Sequence, residues 1–210
     1  MILAFDGSSL DGSVYTEVVA LAHHSPTWLD GLVSGWSAYG LALFAVLMVV
    51  AWWRARGTSP SAAVLALAAP VIVVLAYAVD DALKLAVRED RPCQSLHVIT
   101  LEACPAPGDW SFPSNHAAIA AAAAVALLAV GRRLGSVAVG RRLGLVAVLA
   151  ACAMALSRIW VGAHYPHDVV AGALVGTLVA AAAVSVLRRW PDAVARRITA
   201  TRLRPLLTTS

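Results

Sequence analysis

Ser157-Arg158-Ile159-Trp160-Val161-Gly162-Ala163-His164-Tyr165-Pro166-His167-Asp168 separates two long apolar runs, residues 143–156 and 169–187. A cation, a histidine and a carboxylate therefore lie where two apolar segments meet. Ionisable groups are costly there and usually serve function. His164 and Asp168 are four apart, so on a helical turn they share a face. A carboxylate beside an imidazole fixes its tautomer and stabilises its cationic form. That is what a nucleophilic or general-base histidine requires.

The flanking runs set the class. Of 210 residues, 60% are hydrophobic and 13% are charged, and the mean hydropathy is +0.77. This composition is that of an all-α integral membrane protein. A single domain over residues 1–210 is expected, a bundle of about five transmembrane helices plus a short N-terminal interfacial helix near residues 14–21. Residues 32–53 carry no charge over 22 positions, enough to cross a ~30 Å hydrocarbon core at ~1.5 Å per residue. Residues 61–83 make the second span, with Pro70 at a kink-prone place inside it. The alanine-rich stretch 116–130 makes the third, suited to close packing in a bundle. Residues 143–156 and 169–187 make the fourth and fifth. The polar stretch 84–114, with Pro92, Pro105, Pro107 and Gly108, reads as a functional loop. No cleavable signal peptide is expected, because Met1 to Phe5 are uncharged and Asp6 and Asp11 follow.

Charge gives the orientation. Twelve of the sixteen lysines and arginines fall in the 54–56 turn, the 132–142 turn and the tail, residues 189–210 included. Placing these inside satisfies the positive-inside rule. Residues 1–30 are then extracytoplasmic and the Arg-rich tail cytoplasmic. The remaining four are Lys84, Arg88, Arg91 and Arg158, all on the outer side. The basic clusters thus read as topology, and no nucleic-acid partner is expected.

Two further stretches face the same side. Lys84 to Pro92 reads K-x6-R-P, and Pro113-Ser114-Asn115-His116 precedes an apolar run as a helix N-terminus would. Free N–H groups at such a terminus attract anions, although Ser114 or Asn115 serves equally as an ordinary cap. With Ser157 to Asp168, these stretches resemble the type-2 phosphatidic acid phosphatase superfamily, whose pattern is K-x6-R-P, P-S-G-H and S-R-x5-H-x3-D. Asn115 replaces the glycine. The wording from Phe112 to His116, from Ser157 to Tyr165 and from His23 to Asp30 is most similar to bacitracin-resistance-type undecaprenyl diphosphatases. The resemblance covers roughly residues 20 to 188.

The resemblance implies that His164 attacks phosphorus and becomes a phosphohistidine, that Asp168 orients it, and that His116 protonates the leaving oxygen and then activates water. Lys84, Arg91, Ser114, Asn115 and Arg158 would bind phosphate. The implied substrate is a polyprenyl diphosphate lipid, undecaprenyl diphosphate, and the implied place is the extracytoplasmic face of a bacterial cell membrane. Another lipid phosphate, such as phosphatidic acid or phosphatidylglycerophosphate, stays open. So do transfer to an acceptor other than water and a non-enzymatic carrier of lipid phosphates. No cofactor and no metal are expected, with Asp80, Asp81, Glu89 and Asp90 as the rival cation site. His23, His24, His97 and His167 are read as loop or interface residues. Cys93 and Cys104 share the outer loop, where either a disulfide or two free thiols would be compatible with an oxidising exterior. Cys152 is read as packing within the fourth span.

Overall fold

The computed structural model describes residues 6–189 and 191–209. Its elements are helices: α1 (Ser8–His23), α2 (Thr27–Tyr39), α3 (Leu41–Arg56), α4 (Pro60–Val87), the one-turn α5 (Pro92–Ser95), α6 (Asn115–Gly131), α7 (Val137–Trp160), α8 (Pro166–Leu187), α9 (Pro191–Thr199) and a 3-10 turn, Arg204–Leu206. Three of them, α4, α7 and α8, are long and apolar enough to cross a membrane. The expected first span is broken: α2 and α3 meet at Gly40 with a bend of 54°, and count as one crossing only as a pair. Gly40 is where the bend is possible, since a side chain there would overlap the Trp36 carbonyl. The third expected span, α6, has 17 residues. It is shorter than α4, α7 and α8 and the most enclosed, with eleven buried residues from Ala117 to Gly131.

Helix α6 is the axis of the bundle, packed by α4, α7 and α8. Glycine on α8 sets the closest approach. A Cβ at Gly172 would overlap the Ser114 carbonyl and one at Gly176 the Ala118 carbonyl. This spacing of small residues lets backbones meet, the usual device where apolar burial cannot drive helix association. Alternation of direction brings the C-terminal ends of α4 and α7 and the N-terminal ends of α6 and α8 to one end of the bundle. The arginine clusters at 54–56, 132–142 and 188–189 lie at the other end, beside the short turns.

Two segments differ from their sequence expectations. The N-terminal helix is longer than expected, and its buried face of Tyr15, Val19 and Ala22 packs on Tyr165 and the 96–98 segment. The expected tail instead caps the bundle. Ala195 of α9 and Leu207 enter the main core, and Trp52 Nε1 donates to the Leu206 carbonyl at 2.9 Å. The tail's arginines are interleaved with apolar residues at helical spacing, which gives α9 one face to bury. Cys152 is exposed on α7 and does not pack inside the bundle. Lys84 and Pro70 both lie within the unbroken α4, so the polar loop starts only after Val87.

Candidate active site

Lys84 sits in the last turn of α4, which ends at Arg88 in left-handed geometry, φ 57°, with its N–H on the Lys84 carbonyl. Lys84 Nζ donates to the Trp110 and Ser111 carbonyls at 3.0 and 3.2 Å. Arg91, before the short α5, donates to the Asp109 carboxylate at 2.7 Å, to the Ala163 carbonyl at 2.9 Å, and meets His164 Nε2 at 3.2 Å. Arg158, in the last turn of α7, pairs with Glu102 at 3.0 Å and reaches Ser37 Oγ on α2. All three cations are nearly buried. With His116, His164 and Asn115 they line one cavity of about 350 Å³. Cations gathered this closely repel unless anions lie among them. Here Asp109 and Glu102 supply part of that charge. Arg158 Nε and Ser114 Oγ remain buried without a partner.

His164 follows the turn that ends α7, at Gly162 with φ +81°, where an L side chain would be strained. Its Nδ1 lies 3.3 Å from Asp168 Oδ2 across the expected four-residue spacing. Asp168 Oδ2 also accepts from the Ser111 hydroxyl and from the Tyr165 N–H at 2.9 Å. The carboxylate thereby orients the ring with Nδ1–H toward itself and the Nε2 lone pair toward the cavity. Burial, and then the charges of Arg91, Lys84 and Arg158, hold the His164 imidazole well below its ordinary pKa. This favours the neutral ring, with Nε2 facing the Arg91 guanidinium.

Ser114 is the N-cap residue of α6, but its hydroxyl makes no capping bond. The first N–H groups of α6 have no earlier carbonyl within the helix to bond. Asn115 opens the helix without positive φ, so the left-handed tolerance of asparagine is not used. Its side-chain oxygen is buried and unpaired. Asp168 and Ser114 are held together through the Ser114 N–H on the Asp168 carbonyl at 3.0 Å, which locks α6 to α8 at the site.

The structure brings together every candidate residue named from sequence. It also adds four that sequence reading missed. Ser111 bridges His164 and Asp168, Glu102 and Asp109 pair with the arginines, and Ser37 joins α2 to Arg158. Cys93 and Cys104 are joined as a disulfide, which closes the loop bearing Glu102 beside Arg91. His167 is not a simple interface residue, since it contacts Asp11, Glu89 and Asp168. Of the acidic residues considered as a cation site, Asp80 is fully buried and unpaired in α4, whereas Glu89 groups with His167 and Asp168 closely enough to hold a cation.

A family model described as the PAP2 superfamily matches residues 65–192. The chain is 26% identical over 166 residues to undecaprenyl-diphosphatase BcrC of Bacillus subtilis, covering 79% of this chain and 78% of that one. It is 36% identical over 112 residues to decaprenylphosphoryl-5-phosphoribose phosphatase of Mycobacterium tuberculosis, over 53% and 55% of the two chains. The fold is similar to the crystal structure of a transmembrane PAP2 type phosphatidylglycerolphosphate phosphatase from Bacillus subtilis. The TM-score is 0.59 at 17% identity, over 85% of this chain and 86% of the other.

Proposed function

From a chain that belongs to the PAP2 superfamily and is a membrane lipid phosphatase, we propose a more specific activity: hydrolysis of undecaprenyl diphosphate to undecaprenyl phosphate and inorganic phosphate. The observation that carries it is the single cavity where Lys84, Arg91, Arg158, His116 and His164 converge. A phosphoryl group there would take up the unpaired Arg158 Nε and Ser114 Oγ donors and the free N–H groups of α6. The choice of lipid is supported by the match to undecaprenyl-diphosphatase BcrC over four-fifths of this chain.

The steps follow from the donors. Nε2 of His164 forms a bond to the terminal phosphorus as the bridging P–O bond breaks, and His116, protonated once the negative diphosphate lies among the cations, gives that proton to the departing undecaprenyl phosphate oxygen. The Nδ1 proton stays on the ring, hydrogen-bonded to Asp168, which balances the cationic phosphohistidine. His116, now neutral, takes a proton from water as that water attacks phosphorus. The P–N bond breaks, inorganic phosphate leaves, and His164 returns to the neutral form. Lys84, Arg91 and Arg158 hold the phosphoryl oxygens, where most stabilisation in phosphoryl transfer lies. The site opens on the extracytoplasmic face of a bacterial cell membrane, opposite the arginine clusters, and the product re-enters cell-wall lipid cycling. Bacitracin resistance would follow from lowering the level of the diphosphate.

The greater identity to decaprenylphosphoryl-5-phosphoribose phosphatase favours a second reading, cleavage of a phosphomonoester on a polyprenyl-linked pentose. One experiment tests both. Detergent-purified protein is given undecaprenyl diphosphate or the polyprenylphosphoryl pentose 5-phosphate in excess EDTA, with His164→Ala alongside. Phosphate release from the diphosphate by the wild type alone is expected. Faster release from the pentose phosphate would select the second reading. Equal release by His164→Ala would end the proposed chemistry.

A further inference from the structure

His167 lies outside the cavity, yet each polar group beside its ring nitrogens is a carboxylate. Nδ1 is 2.8 Å from Asp11 Oδ1 on α1. Nε2 is 2.9 Å from Glu89 Oε1, in the segment after α4, and 3.4 Å from Asp168 Oδ1 on α8. The His167 backbone N–H donates to the other Asp11 oxygen at 2.7 Å. The ring stacks with Tyr165 and Phe112, at centroid distances of 5.3 and 6.0 Å. A neutral imidazole has one N–H and one lone pair, and that lone pair would face a carboxylate with no proton between them. Two nitrogens that both face carboxylates call for two N–H groups.

The carboxylates need the charge as much as the ring needs the protons. Glu89 is 1% exposed and Asp168 fully buried. Among the described residues, neither makes an ion pair with a lysine or arginine. Asp168 Oδ1 has no hydrogen-bond donor of its own, since its other oxygen takes Ser111 and Tyr165. Two buried carboxylates side by side do not both stay ionised without a cation between them. Asp168 must stay ionised to orient His164.

We infer that His167 is a positioning residue: as an imidazolium it is the shared counter-ion of Glu89 and Asp168, held in place by Asp11 of the N-terminal helix. The inference rests on the reading of His164 as nucleophile. It makes α1 part of the site, pinned near its start by Asp11 on His167 and, one turn on, by the Tyr15 hydroxyl on the Gly162 carbonyl at 2.9 Å. The same groups could ligate a divalent cation. The 2.9 Å separation of Nε2 and Oε1 is a hydrogen-bond length, shorter than the ~3.3 Å between neighbouring ligands of a tetrahedral zinc.

The test uses the full chain in detergent, as wild type, His167→Phe, Glu89→Gln and the double variant. Phenylalanine keeps the stacking and removes the charge. With undecaprenyl diphosphate, His167→Phe is expected to lower kcat about 10–100-fold, with KM little changed. Adding Glu89→Gln should recover much of that loss, because one buried carboxylate fewer needs no shared cation. A purely structural role predicts no such recovery. Wild-type kcat in His167→Phe, or no recovery in the double variant, overturns the inference. A ¹⁵N-histidine spectrum of the wild type reads the ring directly, and both His167 nitrogens should be protonated at neutral pH. A neutral ring overturns the inference even if the variant does not fold. Bound zinc that disappears with His167→Phe overturns it in favour of a metal ion. If the wild type hydrolyses no lipid phosphate, the functional reading fails and the spectrum alone decides this one.

Discussion

Arg158 and Glu102 face each other at 3.0 Å, with the Ser37 hydroxyl on the same Glu102 oxygen at 2.8 Å. Arg158 is nearly buried and Glu102 comes from the disulfide-closed loop, so on the proposed function the carboxylate competes with a phosphate oxygen for Arg158. A charged hydrogen bond of this kind must be given up on binding. Glu102→Gln should therefore tighten inhibition by inorganic phosphate or vanadate about tenfold, equivalent to ~1.4 kcal/mol. The inhibition constant measures it. An unchanged or weaker constant would mean that Glu102 moves with the substrate rather than competing with it.

The pH dependence follows from His164. Burial and the neighbouring cations lower its pKa, so in the free protein the reactive neutral form persists well below pH 6.5. A bound phosphate reverses the local charge and raises that pKa. The acid limb of kcat should thus lie at higher pH than the acid limb of kcat/KM. Coincident limbs would show that the cations do not act on His164. The same shift has a stability consequence. The unfolded chain binds a proton near pH 6.5 where the folded chain does not, so stability falls as pH drops through that range. Thermal melting between pH 7 and pH 5 reads it, and His164→Gln should flatten the dependence.

Asp168→Asn tests tautomer control. Its Oδ2 accepts from Ser111, Tyr165 and His164, and an amide can replace at most some of these bonds. Presenting an N–H to His164 Nδ1 would turn the ring's remaining proton toward the cavity and remove the Nε2 lone pair. A kcat loss on the order of 10³–10⁴ is expected, by analogy with the orienting carboxylate of a serine protease triad. Circular dichroism should show the helices intact. A loss under tenfold would assign Asp168 a structural role.

The residues that line the candidate site were legible because chemistry dictates their type and the helix ends dictate their spacing. Lys84, Arg91, His116, Arg158, His164 and Asp168 each sit at or beside a helix end, where a local motif suffices to place them. The groups around them were not legible. Asp11 is 156 positions from His167 and Glu102 is 56 from Arg158, so only the fold reveals the pairings. The break at Gly40 was hidden because an apolar run of 22 residues has the composition of one straight span whether it bends or not. His167 did carry a signal: it is a histidine adjoining Asp168, and Glu89 lies within the K-x6-R-P motif. The burial that gives those neighbours meaning appears only in the folded chain.

The last prediction concerns the joint between α6 and α8. Gly172 and Gly176 meet the carbonyls of Ser114 and Ala118 with no room for a Cβ. The obstacle is backbone on both sides, so neither position can relax by turning a side chain. Gly176→Leu should push the helices apart and lower both the yield of folded protein and the melting temperature, as overpacking does by typically 1–3 kcal/mol or more. Gly172→Ala is the finer probe. It lies beside Ser114, whose N–H holds the Asp168 carbonyl, so the displacement reaches the phosphate site before it reaches the rest of the bundle. Activity should fall more steeply than melting temperature in Gly172→Ala, and the two should fall together in Gly176→Leu. Equal behaviour of the two variants would show that the bundle yields as one body and that the Ser114–Asp168 bond does not localise the strain.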